Sequence, residues 1–234
     1  MRLFFVVLML LTAGYASANE IYIQQVGDTL DLDITQDGTD NKIGTSSQDV
    51  ILGATGTASD TMTFAITQTG NSNAITAQIL GTTYTGTWTF TGNSNTVDLL
   101  CDSSGAGNCD TVIMNIATTG NSNAYTIKVG ESADSDGLTA NFTVTDDGAV
   151  IATDVNGKAA NLTVTVNKNS SSISTVNTLD LDMAGDGDIL GHTQILSVKG
   201  RGNSVTINQS GVKDNHVDLD MTGDNADVDI IQSD

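Results

Sequence analysis

FAITQTGNSNAITAQILGTTYTGTWTFTGNSNTV, residues 64–97, contains one phrase twice. Ile66-Thr67-Gln68-Thr69-Gly70-Asn71-Ser72-Asn73-Ala74 returns one period later as Trp88-Thr89-Phe90-Thr91-Gly92-Asn93-Ser94-Asn95-Thr96. In each copy an apolar/polar alternation runs into a Gly/Asn/Ser corner and then resumes. Alternation at period two marks a strand with one buried face. Gly and Asn are the types expected to take the positive φ of a tight corner. A strand–corner–strand unit repeated at fixed length predicts stacked coils.

The same punctuation extends outward from this stretch. Upstream, Leu30, Leu32 and Ile34 alternate with Asp31, Asp33 and Thr35, and the step from Gly27 to Gly38 is half the longer period. Downstream, a third Gly120-Asn121-Ser122-Asn123 follows Val112, Met114 and Ile116. From Gly130 to Gly191 the phrase is lost while alternation persists, with corners expected at Asp146-Asp147-Gly148, Asn156-Gly157 and Gly185-Asp186-Gly187. Regularity returns around Gly200, Gly211 and Gly223. Thr45 to Asp60 and Asn167 to Ser174 read as looped insertions. The expected fold is an all-β β-solenoid of about 22 residues and two strands per coil. Eight to ten coils at about 4.8 Å each would make a rod roughly 40–50 Å long.

Composition supports this. Proline is absent, aromatics are 4% and acidic residues are Asp except for Glu20 and Glu131. Asp, Thr, Asn, Ser and Gly are poor helix formers. The formal charge of −20 leaves no Lys/Arg cluster for phosphate, which excludes nucleic acid as a partner. Self-repulsion on that scale weakens in strong salt, where the screening length falls to about 3 Å.

Residues 1–18 read as a signal peptide: Arg2, the apolar run Leu3–Leu11 and Ala16-Ser17-Ala18 before a cleavage point. That run is shorter than the roughly 20 apolar residues of a membrane span. The expected product is one exported domain over 19–234, with no stable membrane insertion. No cysteine near the cleavage point suggests a lipid anchor. Cys101 and Cys109 flank Asp-Ser-Ser-Gly-Ala-Gly-Asn, which in an exported chain predicts a local disulfide. The alternative, a reactive or metal-binding pair, lacks a His or basic neighbour.

The phrase Gln-X-Gly-X-X-Asn, recurring at the full and the half period, resembles the curlin repeat, found in subunits of curli, the extracellular amyloid fibres of bacteria. Gln25 with Gly27, Gln36 with Gly38 and Asn41, Gln68 with Gly70 and Asn73, and Gln209 with Gly211 and Asn215 carry it. At Gly92, Gly120, Gly200 and Gly223 the Gln position holds Phe90, Thr118, Val198 and Met221, while Asn95, Asn123, Asn203 and Asn225 remain. The likeness covers about half of 19–234 and lapses between Gly130 and Gly191. It implies secretion, head-to-tail stacking of the chain on itself, secretion or nucleation partners, and a role in adhesion or biofilm matrix.

Other chemistry is poorly supplied. His192 and His216 lack a Ser or Cys motif and read as exposed corner residues. One Arg and six Lys in 19–234 leave a polysaccharide-cleaving cleft without basic groups, so no enzyme and no cofactor is expected. Asp180, Asp182, Asp186 and Asp188, or Asp218, Asp220 and Asp224, offer oxygens to Ca²⁺ but equally form the solvated face of a strand. Asn141-Phe142-Thr143 and Asn161-Leu162-Thr163 match glycosylation sequons by what reads as chance. Thr-X-Thr pairs, among them Thr61/Thr63, Thr85/Thr87, Thr89/Thr91, Thr143/Thr145 and Thr163/Thr165, suggest a rival reading as a monomeric ice- or surface-binding solenoid. A glycan-recognising fibre component is a third.

Overall fold

The structure is a computed structural model that describes residues 20–25, 29–38, 40–44, 50–53, 61–70, 72–80, 83–92, 94–101, 111–120, 122–129, 135–136, 138–146, 148–158, 160–168, 176–184, 192–211 and 214–233. In chain order its strands are β1 (Glu20–Ile21), β2 (Gln24–Gln25), β3 (Thr29–Asp37), β4 (Lys42–Ile43), β5 (Val50–Gly53), β6 (Thr61–Thr69) and β7 (Ala74–Leu80). There follow β8 (Thr83–Thr91), β9 (Thr96–Cys101), β10 (Thr111–Gly120), β11 (Ala124–Val129), β12 (Ser135–Asp136), β13 (Thr139–Asp146) and β14 (Val150–Lys158). The last are β15 (Asn161–Asn167), β16 (Asn177–Ala184), β17 (Thr193–Lys199), β18 (Asn203–Ser210), β19 (His216–Thr222) and β20 (Asp227–Ser233).

Successive strands alternate between two walls. One is an eight-stranded sheet, β3-β6-β8-β10-β13-β15-β17-β19, and the other runs β1-β4-β7-β9-β11-β14-β16-β18-β20, joined by β2, β5 and β12. Every pairing is parallel and in register. The chain is a β-solenoid. Parallel neighbours need a crossover, and here the opposite wall is the crossover.

The expected period holds where Met62 pairs with Tyr84 and Thr139 with Asn161. Elsewhere the rung is longer: Thr29 pairs with Thr61, Thr83 with Thr111 and Ile113 with Thr139. Two expected features shift accordingly. Val50–Gly53, placed in a loop by its sequence context, is a strand against β2 and β7. Asn156-Gly157 is no corner but part of β14.

Alternation sets the core. In β6 the inward residues Met62, Phe64, Ile66 and Gln68 are buried while Thr61, Thr63, Thr67 and Thr69 face out. One continuous apolar cluster fills the space between the walls, with Trp88, Tyr84, Tyr125, Phe64 and Phe90 its largest members. Trp88 meets Phe64 edge to face at 6.2 Å between ring centroids, and its indole N–H donates to the Phe64 carbonyl at 3.2 Å. A single column runs the length of this core: Ile21, Ile43, Ile75, Val97, Tyr125, Ile151, Leu179, Val205, Val228. Each member sits about 4.8 Å above the last.

Candidate functional site

The features that set this solenoid apart are its corners, its two ends and its outer faces. The corners come first because they hold the register. Gly70 and Gly92 have φ of 147° and 146°, a region in which a Cβ is strained, and two residues later Ser72 and Ser94 sit at 60°. The left-handed position is thus taken by Ser, and in the same way by Asp40 and Ser122, whereas the Asn that follows turns inward. At these corners the Asn does not take the positive φ expected of it. Asn73, Asn95, Asn123 and Asn203 are buried. Their amides are needed where an inward corner leaves carbonyls without partners.

Asn73 donates through Nδ2 to the Gly70 carbonyl at 3.2 Å, Asn95 to Gly92 at 2.9 Å and Asn203 to Gly200 at 3.3 Å. Up the stack, Asn73 Nδ2 donates to Asn95 Oδ1 at 3.1 Å, and the Asn95 backbone N–H to Asn123 Oδ1 at 2.8 Å. Asn41 is buried at the same corner and donates to Gly38 at 3.4 Å. The glutamines form shorter ladders: Gln68 Nε2 to Gln36 Oε1 at 2.6 Å on one wall, Gln232 Nε2 to Gln209 Oε1 at 2.9 Å on the other. Beyond Gln68 the column of the first wall continues as Phe90, Thr118, Val144, Val166, Val198 and Met221.

Sequence reasoning misses Asn177, which is buried and accepts the Ala149 N–H at 2.8 Å. The signal is present: Asn177-Thr178-Leu179 has the form of Asn95-Thr96-Val97, without the glycine before it. Four expected ladder and corner residues fall elsewhere. Asn215 lies at the opposite corner, where its Oδ1 meets His192 Nδ1 at 2.8 Å and its Nδ2 donates to the Ser233 carbonyl. Asn225 takes the left-handed position at φ 57°, leaving Ala226 in the ladder's place. Gln209 and Gly211 end a strand of the second wall rather than the first. Gln25 is on β2, and its side chain lies outside the described residues, as do Gly27 and the candidate calcium ligands Asp186 and Asp188.

His192 is fully buried, at φ 56°, which overturns the expectation of an exposed residue; His216 is exposed. The His192 carbonyl accepts from Gln209 Nε2 at 2.7 Å and from the His216 N–H at 3.1 Å, so the residue is fixed from both sides. Cys101 is buried at the end of β9, and Cys109 lies outside the described residues.

The two outer faces differ in charge. On the second wall Lys128, Asp154, Asp182 and Asn208 form one column, with Asp180 beside it. Desolvation raises the Asp182 carboxyl above its usual range, Asp180 and Asp154 add to this, and a hydrogen bond from Asn208 opposes it. Among the described residues no three His, Cys, Asp or Glu side chains are grouped to hold a metal ion. On the first wall the outward positions of β6, β8, β10, β13 and β15 carry no charge at all, and Thr dominates them. Thr63 stands beside Thr85, Thr67 beside Thr89, Thr69 beside Thr91, and Thr91 beside Thr119.

The ends are open. Among the described residues no strand pairs with the outer edge of β3 or β1 at one end, or of β19 or β20 at the other. Every residue of β20 is exposed, and Val228 and Ile230, members of core columns, are 40% and 41% accessible. Val217, Leu219 and Met221 are only partly covered, as are Ile21, Ile23, Leu30 and Leu32 at the opposite end. No helix among the described residues is long and apolar enough to cross a membrane. No family model, no curated protein and no solved structure matches this chain.

Proposed function

We propose that this protein is the structural subunit of a secreted, curli-like filament in which β19 and β20 of one copy stack on β3 and β1 of the next. The observation that carries the reading is the pair of open ends, each displaying core-type residues in the phase of the rungs inside the chain. Setting Gly223 over Gly38 of the next copy places Val217, Leu219 and Met221 over Leu32, Ile34 and Gln36. Continuing the central column places Val228 and Ile230 over Ile21 and Ile23. Each such side chain gains up to about 1.5–3 kcal/mol when fully buried, and both edges gain the ladder bonds they lack. Two common protections of an edge are missing: no proline occurs in the sequence, and β19 and β20 carry no lysine.

Adhesion or matrix formation outside the cell, a signal peptide over 1–18 and a Cys101–Cys109 disulfide belong to the same reading. The decisive experiment is electron microscopy and sedimentation of the purified 19–234 chain beside the double variant Leu219→Lys/Ile230→Lys. Unbranched filaments from the parent, and folded monomers by circular dichroism from the variant, are expected. A parent that stays monomeric at high concentration and ionic strength, or a variant that polymerises as readily, overturns the reading.

A further inference from the structure

The charge-free Thr face of the first wall has no part in end-to-end stacking, and it stands in sharp contrast to the rest of a chain of net charge −20. Its densest part is the double row β6–β8, where nine of the ten outward residues are Thr and the tenth is Ala65. Paired positions such as Thr67 and Thr89, or Thr69 and Thr91, are direct neighbours across the sheet. The grid therefore repeats at about 4.8 Å up the stack and about 6.7 Å along each strand. Thr143 and Thr145 extend the same two columns beyond β10, whose Ile113, Asn115 and Ala117 interrupt the grid but add no charge.

Three properties of this surface act together. A backbone held by ladders on both sides fixes each Cα, and the branched Thr side chain is stiff at χ1, so hydroxyls and methyls lie in rows rather than in a fluctuating layer. The absence of carboxylates and ammonium groups removes the tightly held hydration shells that would disrupt an ordered water layer. The two repeat distances lie close to those of oxygen rows in hexagonal ice. We propose that the outer face of β6–β8 is an ice-binding surface: the hydroxyls hydrogen-bond into the lattice while the methyls occupy the gaps between its water molecules. No filament is required, so this binding and polymerisation are separable.

The test is ice-affinity partitioning and thermal hysteresis with the 19–234 chain, alongside Thr89→Lys, Thr67→Lys and, on the second wall, Thr178→Lys. All three sites are outside the core, and circular dichroism checks that each variant keeps the parent β-signal. The parent and Thr178→Lys are expected to enter growing ice and depress its growth temperature, whereas Thr89→Lys and Thr67→Lys remain in the liquid at the level of buffer. A parent excluded from ice overturns the proposal, as does equal loss in all three variants. Adsorption of the same face to crystalline chitin or cellulose without activity on ice also overturns it.

Discussion

Asn73 and Asn95 stand one rung apart with their carboxamides in register: Nδ2 of Asn73 donates to Oδ1 of Asn95 at 3.1 Å, and the Asn73 backbone N–H reaches the same oxygen at 3.3 Å. Asn95 passes the contact on by donating to the Gly92 carbonyl at 2.9 Å. One buried side chain thereby closes a corner and fixes the height of the next.

Asn95→Ala leaves the Asn73 amide and the Gly92 carbonyl buried without these partners. At about 1–3 kcal/mol for each group left unpaired, the loss is on the order of 3 kcal/mol. Asn225→Gly, exposed, off the ladder and at a φ that glycine accepts, is expected to cost less than about 0.5 kcal/mol. Urea unfolding of both variants checks this, and similar costs for the two would remove the ladder from the account of stability.

Trp88 is the only tryptophan and is fully buried against Phe64. Its emission should therefore be blue-shifted in the native state and move to longer wavelength on unfolding. Trp88→Ala opens a cavity in the mid-stack core and is expected to cost about 3–5 kcal/mol.

Asp182 supplies a pH test. Because its carboxyl is raised in the folded state, first by desolvation and then by Asp180 and Asp154, folding favours the protonated form. That contribution is fully present below the unfolded value near 3.8 and is lost as pH rises through the higher folded value. Asp182→Asn should raise the melting temperature at neutral pH and leave it nearly unchanged well below the unfolded value. The reverse pattern would contradict the sign.

Stacking in the proposed phase sets Asp218 over Asp33 and Asp227 over Glu20 of the next copy, all on outward positions. Opposed like charges weaken a joint, and screening relieves them: the Debye length falls from about 10 Å at 0.1 M to about 3 Å at 1 M salt. Filament growth followed by light scattering should accelerate with added NaCl. Asp218→Asn/Asp227→Asn should grow at low salt at the rate of the parent in high salt; a rate indifferent to salt would place the joint elsewhere.

The walls are legible in the sequence because burial on one face leaves its mark at every second residue, and a parallel stack repeats that mark with the corner between copies. Phe64–Val97 displays both, and its step is among the shortest rungs of the structure. What alternation does not reveal is register. The strand at Val150–Lys158 is hard to read because its inward set includes Thr153, a polar residue that is nevertheless buried. Asn177 escapes because the ladder needs only the inward amide, while a search for the corner looks for glycine. His192 is misplaced because a residue just before a strand looks solvated in sequence, and only the fold brings Gln209 and Asn215 around it. The Thr face is the clearest case: Thr63 meets Thr85 and Thr143 meets Thr165 across rungs of the short length, but longer, unequal rungs on either side of β10 separate these rows, so no single linear period spans the face.

That inequality of rungs has its own outcome. Thr29 to Thr61 is a longer step in sequence than Met62 to Tyr84, yet both pairs are direct neighbours in one sheet, so length in sequence is uncoupled from height along the axis. Material of other origin, a peptide tag or a small folded module, spliced between β9 and β10 would lengthen that connection and leave the pairing of both strands as it is. A gene built this way can grow by copying any storey, and the tower still meets its own roof.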